Sequence, residues 1–299
     1  VLQSRLTWGH SSFLLNGHYN TDGTIDRSKV QDTYVVDERS FDPAFRDTRD
    51  PYHLAQGGAL GRVHKGMAFG TLRGRILVPN ASQQTSLTDK ELALRSAFDP
   101  YLCYLDSVAS EGAYALDWDE LTADTTNFPS GRMPLRLYAR PVATPRVTEL
   151  ASDSAVRPFS LALVAPDPRR FRQVESTLVL TPGSPSGSVA NIGNVPAPLK
   201  ATIVMAGAGN AAFTITRSGV SFILNLTTMI AADTVVVVFE TCGPYARGRL
   251  ITKNAVENFA LKTSAPATWL TAPVGSTTFT ISNTGGLTSC TLGWYSAWA

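Results

Sequence analysis

Asp117, Asp119, Glu120 and Asp124 crowd around Trp118, and carboxylates at this density are the groups that hold a calcium ion or, as a pair, cleave a glycosidic bond. The cluster lacks the glycine and the ligand spacing of a calcium loop. Nothing in its pattern selects one carboxylate as acid and another as base, so it reads as a solvated acidic loop. The four histidines, His10, His18, His53 and His64, all fall in the first 64 residues, which leaves the rest of the chain without an imidazole for general-base chemistry. His53 and His64 read as loop or interface residues rather than metal ligands. Cys103, Cys242 and Cys290 are odd in number and widely spaced, which argues against a disulfide framework and offers no Cys-x-x-Cys knuckle. They are expected to be buried thiols that pack as small apolar groups.

Two glycine patterns resemble known sites on paper. Gly207-x-Gly209-x-x-Ala212 has the spacing of a dinucleotide fingerprint, but such a loop must open a helix, and Phe213-Thr214-Ile215-Thr216 reads as a strand. A hairpin is expected there. Gly183-Ser184-Pro185-Ser186-Gly187 nearly spells a hydrolase elbow, yet its central residue is a proline with no nucleophile, so it reads as a turn. Trp269, Trp294 and Trp298 gather in the C-terminal region, and exposed aromatic rings are one way a β-sandwich holds a sugar or a partner; core or subunit packing is the alternative. From these residues the chain reads as no enzyme, with no catalytic set, no cofactor and no metal.

The elements that would have to position such residues fall into two groups. Residues 1–172 carry 20 basic and 20 acidic side chains, whereas 173–299 carry 6 and 4, with thirty Ser or Thr hydroxyls keeping that surface wet. The break in charge density marks a domain boundary: 1–172, then 173–299. Only 17% of residues are charged, against about 25% in an ordinary soluble chain, which implies surface covered by something else. A net charge of +2 without a long Lys/Arg run disfavours tight nucleic-acid binding and leaves only transient contact with DNA. No run of eighteen apolar residues predicts membrane insertion, and the start, Val1-Leu2-Gln3-Ser4-Arg5, lacks a secretory core.

The first eighty residues read as irregular strands and long polar loops, followed by a strand at 72–78 that Pro79 ends. Thr88-Asp89-Lys90-Glu91 has the spacing of a capping box, so one helix is expected near 89–98, with Leu94, Ala97 and Phe98 inward and Asp99-Pro100 as its stop. Beyond Phe171, short strands are expected at 177–180, 201–205, 213–217, 220–226, 234–239, 277–282 and 291–295, separated by Gly-, Asn- and Pro-rich turns. The fold class expected is mainly β: an N-terminal β-rich (α+β) domain with one helix, then a C-terminal antiparallel β-sandwich.

Between these halves, Val164-Ala165-Pro166-Asp167-Pro168-Arg169-Arg170-Phe171 ends a strand at two prolines, which fix φ and remove amides, so the chain leaves the sheet in one direction. This segment resembles the Ala-x-Asp-Pro-Arg-aromatic feature of the distal tail (Dit) and minor tail proteins of long-tailed bacteriophages. Gly74-Arg75-Ile76-Leu77-Val78-Pro79 before the helix, the turn Asn191-Ile192-Gly193-Asn194-Val195-Pro196-Ala197-Pro198, and the closing Trp294-Tyr295-Ser296-Ala297-Trp298 are similar to family features in the same order. The resemblance implies a ring-forming belt domain with one helix followed by a galectin-like sandwich. It also implies a virion subunit at the tail tip, made in the host cytoplasm. Its ring, commonly a hexamer, would join the tail tube protein to the tail-tip hub protein and adhesins around a lumen for DNA. Pro166, Asp167, Pro168, Arg169, Arg170 and Phe171 are the candidate junction and interface residues; Trp269, Trp294 and Trp298 are the candidate aromatic contacts. The alternative role is a carbohydrate-binding or receptor-binding adhesin that touches a host-surface glycan.

Overall fold

The computed structural model describes residues 6–9, 13–15, 34–47, 63–78, 84–106, 113–149, 155–240, 244–245, 249–263 and 269–299. They form two compact units, Val1–Pro168 and Arg169–Ala299. The first contains β1 (Leu6–Trp8), β2 (Phe13–Leu15), β3 (Tyr34–Asp47), β4 (Val63–Leu77), α1 (Gln84–Ala97), α2 (Pro100–Asp106), β5 (Tyr114–Leu121), β6 (Arg132–Pro141), β7 (Arg146–Val147) and β8 (Val156–Ala165). The strands form one antiparallel sheet in the order β2-β1-β5-β6-β8-β4-β3, with β7 also on β8.

β4 shows why this sheet forms. Ala68, Gly70, Leu72, Gly74 and Ile76 point to the core, while Met67, Phe69, Arg73 and Arg75 alternate with them outward. The inward glycines make room: a Cβ on Gly74 would strike the carbonyl of Val35 and come within 2.7 Å of the Phe159 ring. β3 and β4 are 14 and 15 residues long, well beyond the irregular strands expected in this region. The glycines of β4 and Pro43 of β3 hid them in the sequence. Pro43 is tolerated because β3 is an edge strand and its register shifts between Pro43 and Phe45. Across the hairpin, Arg75 grips both Asp37 oxygens at 2.8 Å.

α1 begins one turn before the expected cap. Leu87 is buried and extends the apolar stripe of Leu94, Ala97 and Phe98 back by two turns, so Thr88 and Asp89 lie exposed inside the helix and not at its N-terminal boundary. The capping-box reading is therefore corrected, although Glu91 does pair with Arg95 at 2.8 Å. Asp99-Pro100 ends α1 and also starts α2, a second helix that the sequence reading omitted. The Asp99 carboxylate accepts from the amides of Tyr101 and Leu102 at 2.8 and 3.0 Å, and Pro100 stands where a free amide is not needed. The C-terminal end of α1 docks on β1. The Trp8 indole donates to the Ala97 carbonyl at 2.8 Å and its ring stacks on Phe98 at 4.9 Å.

The second unit contains β9 (Arg170–Arg172), β10 (Ser176–Leu180), β11 (Ser186–Asn191), β12 (Leu199–Met205), β13 (Phe213–Arg217), β14 (Val220–Leu224), β15 (Thr234–Val238), β16 (Leu250–Lys253), β17 (Val256–Glu257), β18 (Gly275–Ser282), β19 (Leu287–Trp294) and β20 (Ala297–Trp298). Six strands, β10-β19-β12-β15-β16-β17, make one antiparallel sheet, and β11-β18-β13-β14 make the other. Leu199, Ala201, Ile203 and Met205 of β12 are buried, as are Phe213, Ile215, Phe222, Leu224, Phe279 and Ile281 of the smaller sheet. Phe222 meets Phe239 edge-to-face at 4.9 Å in this core. All seven expected strands are present; β11, β16, β17 and the short pair β9 and β20 were missed because each is short or rich in Gly, Ser and Asn. The loop with Gly207 and Gly209 is not a hairpin: it carries the chain from β12 of one sheet to β13 of the other, with the Gly209 amide on the Leu226 carbonyl at 2.9 Å.

One turn of this unit holds a buried carboxylate. Asp233 accepts from the Ile230 amide at 2.9 Å, the Lys253 ammonium at 2.9 Å and the Asn254 carboxamide at 2.7 Å. The amide first, then the ammonium and carboxamide, hold its pKa down at about 2.

Two outcomes follow for stability. Gly74→Val should destabilise the chain by about 2 kcal/mol, as overpacking does, read by urea denaturation. An unfolded aspartate titrates near ~3.9, so the contribution of Asp233 is fully present above that pH and is lost as the pH falls towards about 2. The stability gap between the native chain and Asp233→Asn should therefore be wide at neutral pH and close on acidification, measured by urea unfolding across that range.

Candidate functional site

Three of the motifs singled out in the sequence, around Arg169–Phe171, Asn191–Val195 and Trp294–Trp298, come together within the second unit, although up to about 130 residues separate them. β20 pairs with β9, Ala297 opposite Phe171 and Trp298 opposite Arg170, and the Arg172 amide donates to the Ser296 carbonyl at 2.9 Å. On its other side Ala297 bridges Val195. The closing strand is thus clasped between the first strand of the unit and the turn after β11.

Asn191 organises the clasp. Its side chain is buried, and each carboxamide atom has two partners. Nδ2 donates to the carbonyls of Val195 at 2.8 Å and Ala272 at 3.2 Å; Oδ1 accepts from the amides of Gly193 at 3.0 Å and Ala297 at 3.4 Å. Gly193 is required at its position because a Cβ there would overlap the main chain of Ala297. The Ser296 hydroxyl accepts from the Ile192 amide at 3.2 Å, and Asn194 Oδ1 accepts from the Ala299 amide at 2.9 Å. A buried amide with every group satisfied fixes one arrangement of three main-chain segments at once.

The predicted junction residues divide between the units. Pro166 is exposed and Asp167 and Pro168 are half-buried at the end of the first unit. Arg169 opens the second, donating to the Pro196 carbonyl at 3.0 Å, pairing with Glu240 at 3.2 Å and standing 5.7 Å from the Phe171 ring centre. Arg170 donates to the main-chain oxygen of Ala299 at 2.7 Å, and Phe171 is fully buried. These side chains hold the clasp together. Asn191, Ser296 and Glu240 belong to it as well; Asn191 lay inside a quoted turn motif, but nothing local shows which strands its carboxamide reaches.

The three tryptophans have separate environments. Trp294 is buried and its indole donates to the Ala190 carbonyl at 3.0 Å, which makes it part of the clasp core and removes it as an exposed contact. Trp269 is half-buried against Phe222 at 5.5 Å and Phe239 at 6.3 Å, with the Lys262 ammonium 5.0 Å from its ring. Trp298 is half-buried beside Arg170 on β20.

The acidic cluster is drawn apart by the strand it lies on. Asp117 forms a two-point pair with Arg136 of β6 at 2.6 and 2.7 Å, and that carboxylate raises the Arg136 pKa. Glu120 points to the other face, where it meets the Trp118 indole at 2.9 Å and Arg39 at 3.1 Å. Asp124 caps a turn through Asn127 at 2.7 Å, which lowers its pKa. The acidic loop expected from the sequence is thus largely a strand, β5. Among the described residues no three His, Cys, Asp or Glu side chains gather to hold a metal ion. Cys103 and Cys290 are buried free thiols, and burial pushes the Cys290 pKa up to about 12; Cys242, His10, His18 and His53 lie outside the described residues.

No family model and no curated protein matches the sequence. The fold, a β-rich unit with helices followed by an antiparallel sandwich, nevertheless has a counterpart among solved structures. Among solved structures, the Dit protein of phage SPP1, a paradigm for the hub of the adsorption apparatus in phages that infect Gram-positive hosts, superposes with a TM-score of 0.58 at 12% identity over 99% of each chain. Chains of the phage p2 baseplate in its activated conformation, with strontium and with calcium, give TM-scores of 0.43 and 0.40 at 7% and 9% identity, covering 98% of this chain and 97% of those chains.

Asn191→Ala would remove the carboxamide bond from two carbonyls and two amides of the clasp, of which the Ala272 carbonyl keeps the Ala197 amide. It should cost at least about 2 kcal/mol in urea denaturation. Hydrogen exchange at the amides of 170–172 and 297–299 should accelerate in the same variant more than exchange in the centre of β12.

Proposed function

We propose that this protein is a structural subunit of a phage tail tip, residing in the virion and acting through assembly rather than catalysis. The observation that carries the reading is that the likeness to SPP1 Dit runs over 99% of both chains, so both units and their order correspond rather than one common β-sandwich. The sequence supports it independently, because the junction, turn and closing motifs that resemble the distal tail family are the segments that meet in the clasp.

In this reading the chains form a ring, a hexamer, in which the first unit closes the ring and the sandwich faces outward. The ring joins the tail tube protein to the tail-tip hub and the adhesins and leaves a lumen for DNA. The 20 basic and 20 acidic side chains of residues 1–172 suit a lumen, since a strongly basic wall would retain the genome through counterion release. The ion pairs Arg75–Asp37, Arg136–Asp117 and Arg157–Glu91 neutralise part of that charge locally.

Negative-stain electron microscopy of the purified chain, alone and with its tail tube and hub partners, should show closed rings with a central hole. A species that stays monomeric at high concentration and forms no ring with those partners overturns the reading.

A further inference from the structure

β10 is an open sheet edge. It pairs with β19 on one side, and among the described residues no main-chain hydrogen bond reaches its other side. The remaining edges of the sandwich are blunted. The outer side of β14 is occupied by residues 261–263, through Asn225 to the Leu261 carbonyl at 2.7 Å and Thr263 to the Ile223 carbonyl at 3.2 Å. β17 is two residues long, and the Trp294 indole takes the Ala190 carbonyl of β11. The strand itself carries no proline, no bulge and no charge in Ser176-Thr177-Leu178-Val179-Leu180. Val174 and Val179, beside and within it, are 65% and 56% exposed.

We propose that β10 pairs with β10 of a second copy of this chain, antiparallel about a two-fold axis at Leu178. The argument for a copy as occupant is self-complementarity. With five residues, only the register centred on Leu178 pairs the whole strand; it sets Thr177 against Val179 of the partner, two β-branched residues of the kind that favour each other across strands. A strand without charges opposes no like charge to itself. The nearest carboxylate, Glu175, is already held by Lys200 at 3.0 Å and the Tyr245 hydroxyl at 2.8 Å, so it brings no bare charge to the contact. Extended two residues beyond the strand, the register brings exposed Val174 towards the partner's exposed Pro182.

The pairing does not depend on the ring. It doubles whatever species the chain forms, a monomer to a dimer or one ring to two.

The test uses the full chain with Cys242→Ser. Thr177→Cys and Val179→Cys chains carrying different tags are mixed and oxidised, and disulfide-linked species are resolved by mass. The register predicts mixed dimers, with little product from either variant alone. Equal linkage in all three samples, or none in any, overturns it. Light scattering across a concentration series provides the second reading: the native mass should double at high concentration and that of Val179→Lys should not. A native mass that does not double, or a Val179→Lys mass that doubles equally, refutes the pairing. Because Val179 is exposed, this variant retains its fold, checked by its unfolding midpoint.

Discussion

The second unit depends on one buried amide. Main-chain groups at the ends of a sandwich have no ladder to satisfy them, and leaving them buried without partners is costly. The Asn191 carboxamide meets four of them at once, from Val195, Ala272, Gly193 and Ala297. An apolar residue there would take this partner from all four, leaving the Ala272 carbonyl only the Ala197 amide, and a carboxylate would have no donors for two carbonyls. The place of β20, and through it the pairing of β9, follows from that requirement.

The first unit solves a different problem. Its long hairpin of β3 and β4 must lie close to β8, and Gly70 and Gly74 permit this by presenting no side chain where Phe41 and Phe159 pack. The helix then covers one end of the sheet through aromatic contact, Trp8 on Phe98 and Phe13 against both Phe98 and Tyr34. Burial of these rings supplies a large apolar area from few residues. That allows long polar stretches elsewhere in the chain.

Charges in both units are used mainly against each other. Arg157 joins the helix to β8 through Glu91 at 2.6 Å, Arg136 binds Asp117 across strands, and Arg169 ties Glu240. The same pairing leaves surfaces that neither attract nor repel strongly.

The sequence by itself determined the class of fold. Period-two alternation and Gly/Asn turns set the seven main strands of the sandwich, the fall in charge density separated two regions, and Asp99-Pro100 punctuated the helix, because these are local effects of φ restriction and side-chain polarity. It also singled out the short segments 164–171, 191–198 and 294–298, by their resemblance to features of a family. Only the tertiary structure decided what those segments do. Burial of Leu87 moved the start of α1, edge position made Pro43 acceptable in β3, and strand alternation sent Asp117 and Glu120 to opposite faces. Above all, a carboxamide on Asn191 has no local preference for strands that lie far along the chain; Gly193 and Val195 lie in its own turn, but Ala272 and Ala297 come within its reach only once the sheets have packed and brought β20 back beside β9.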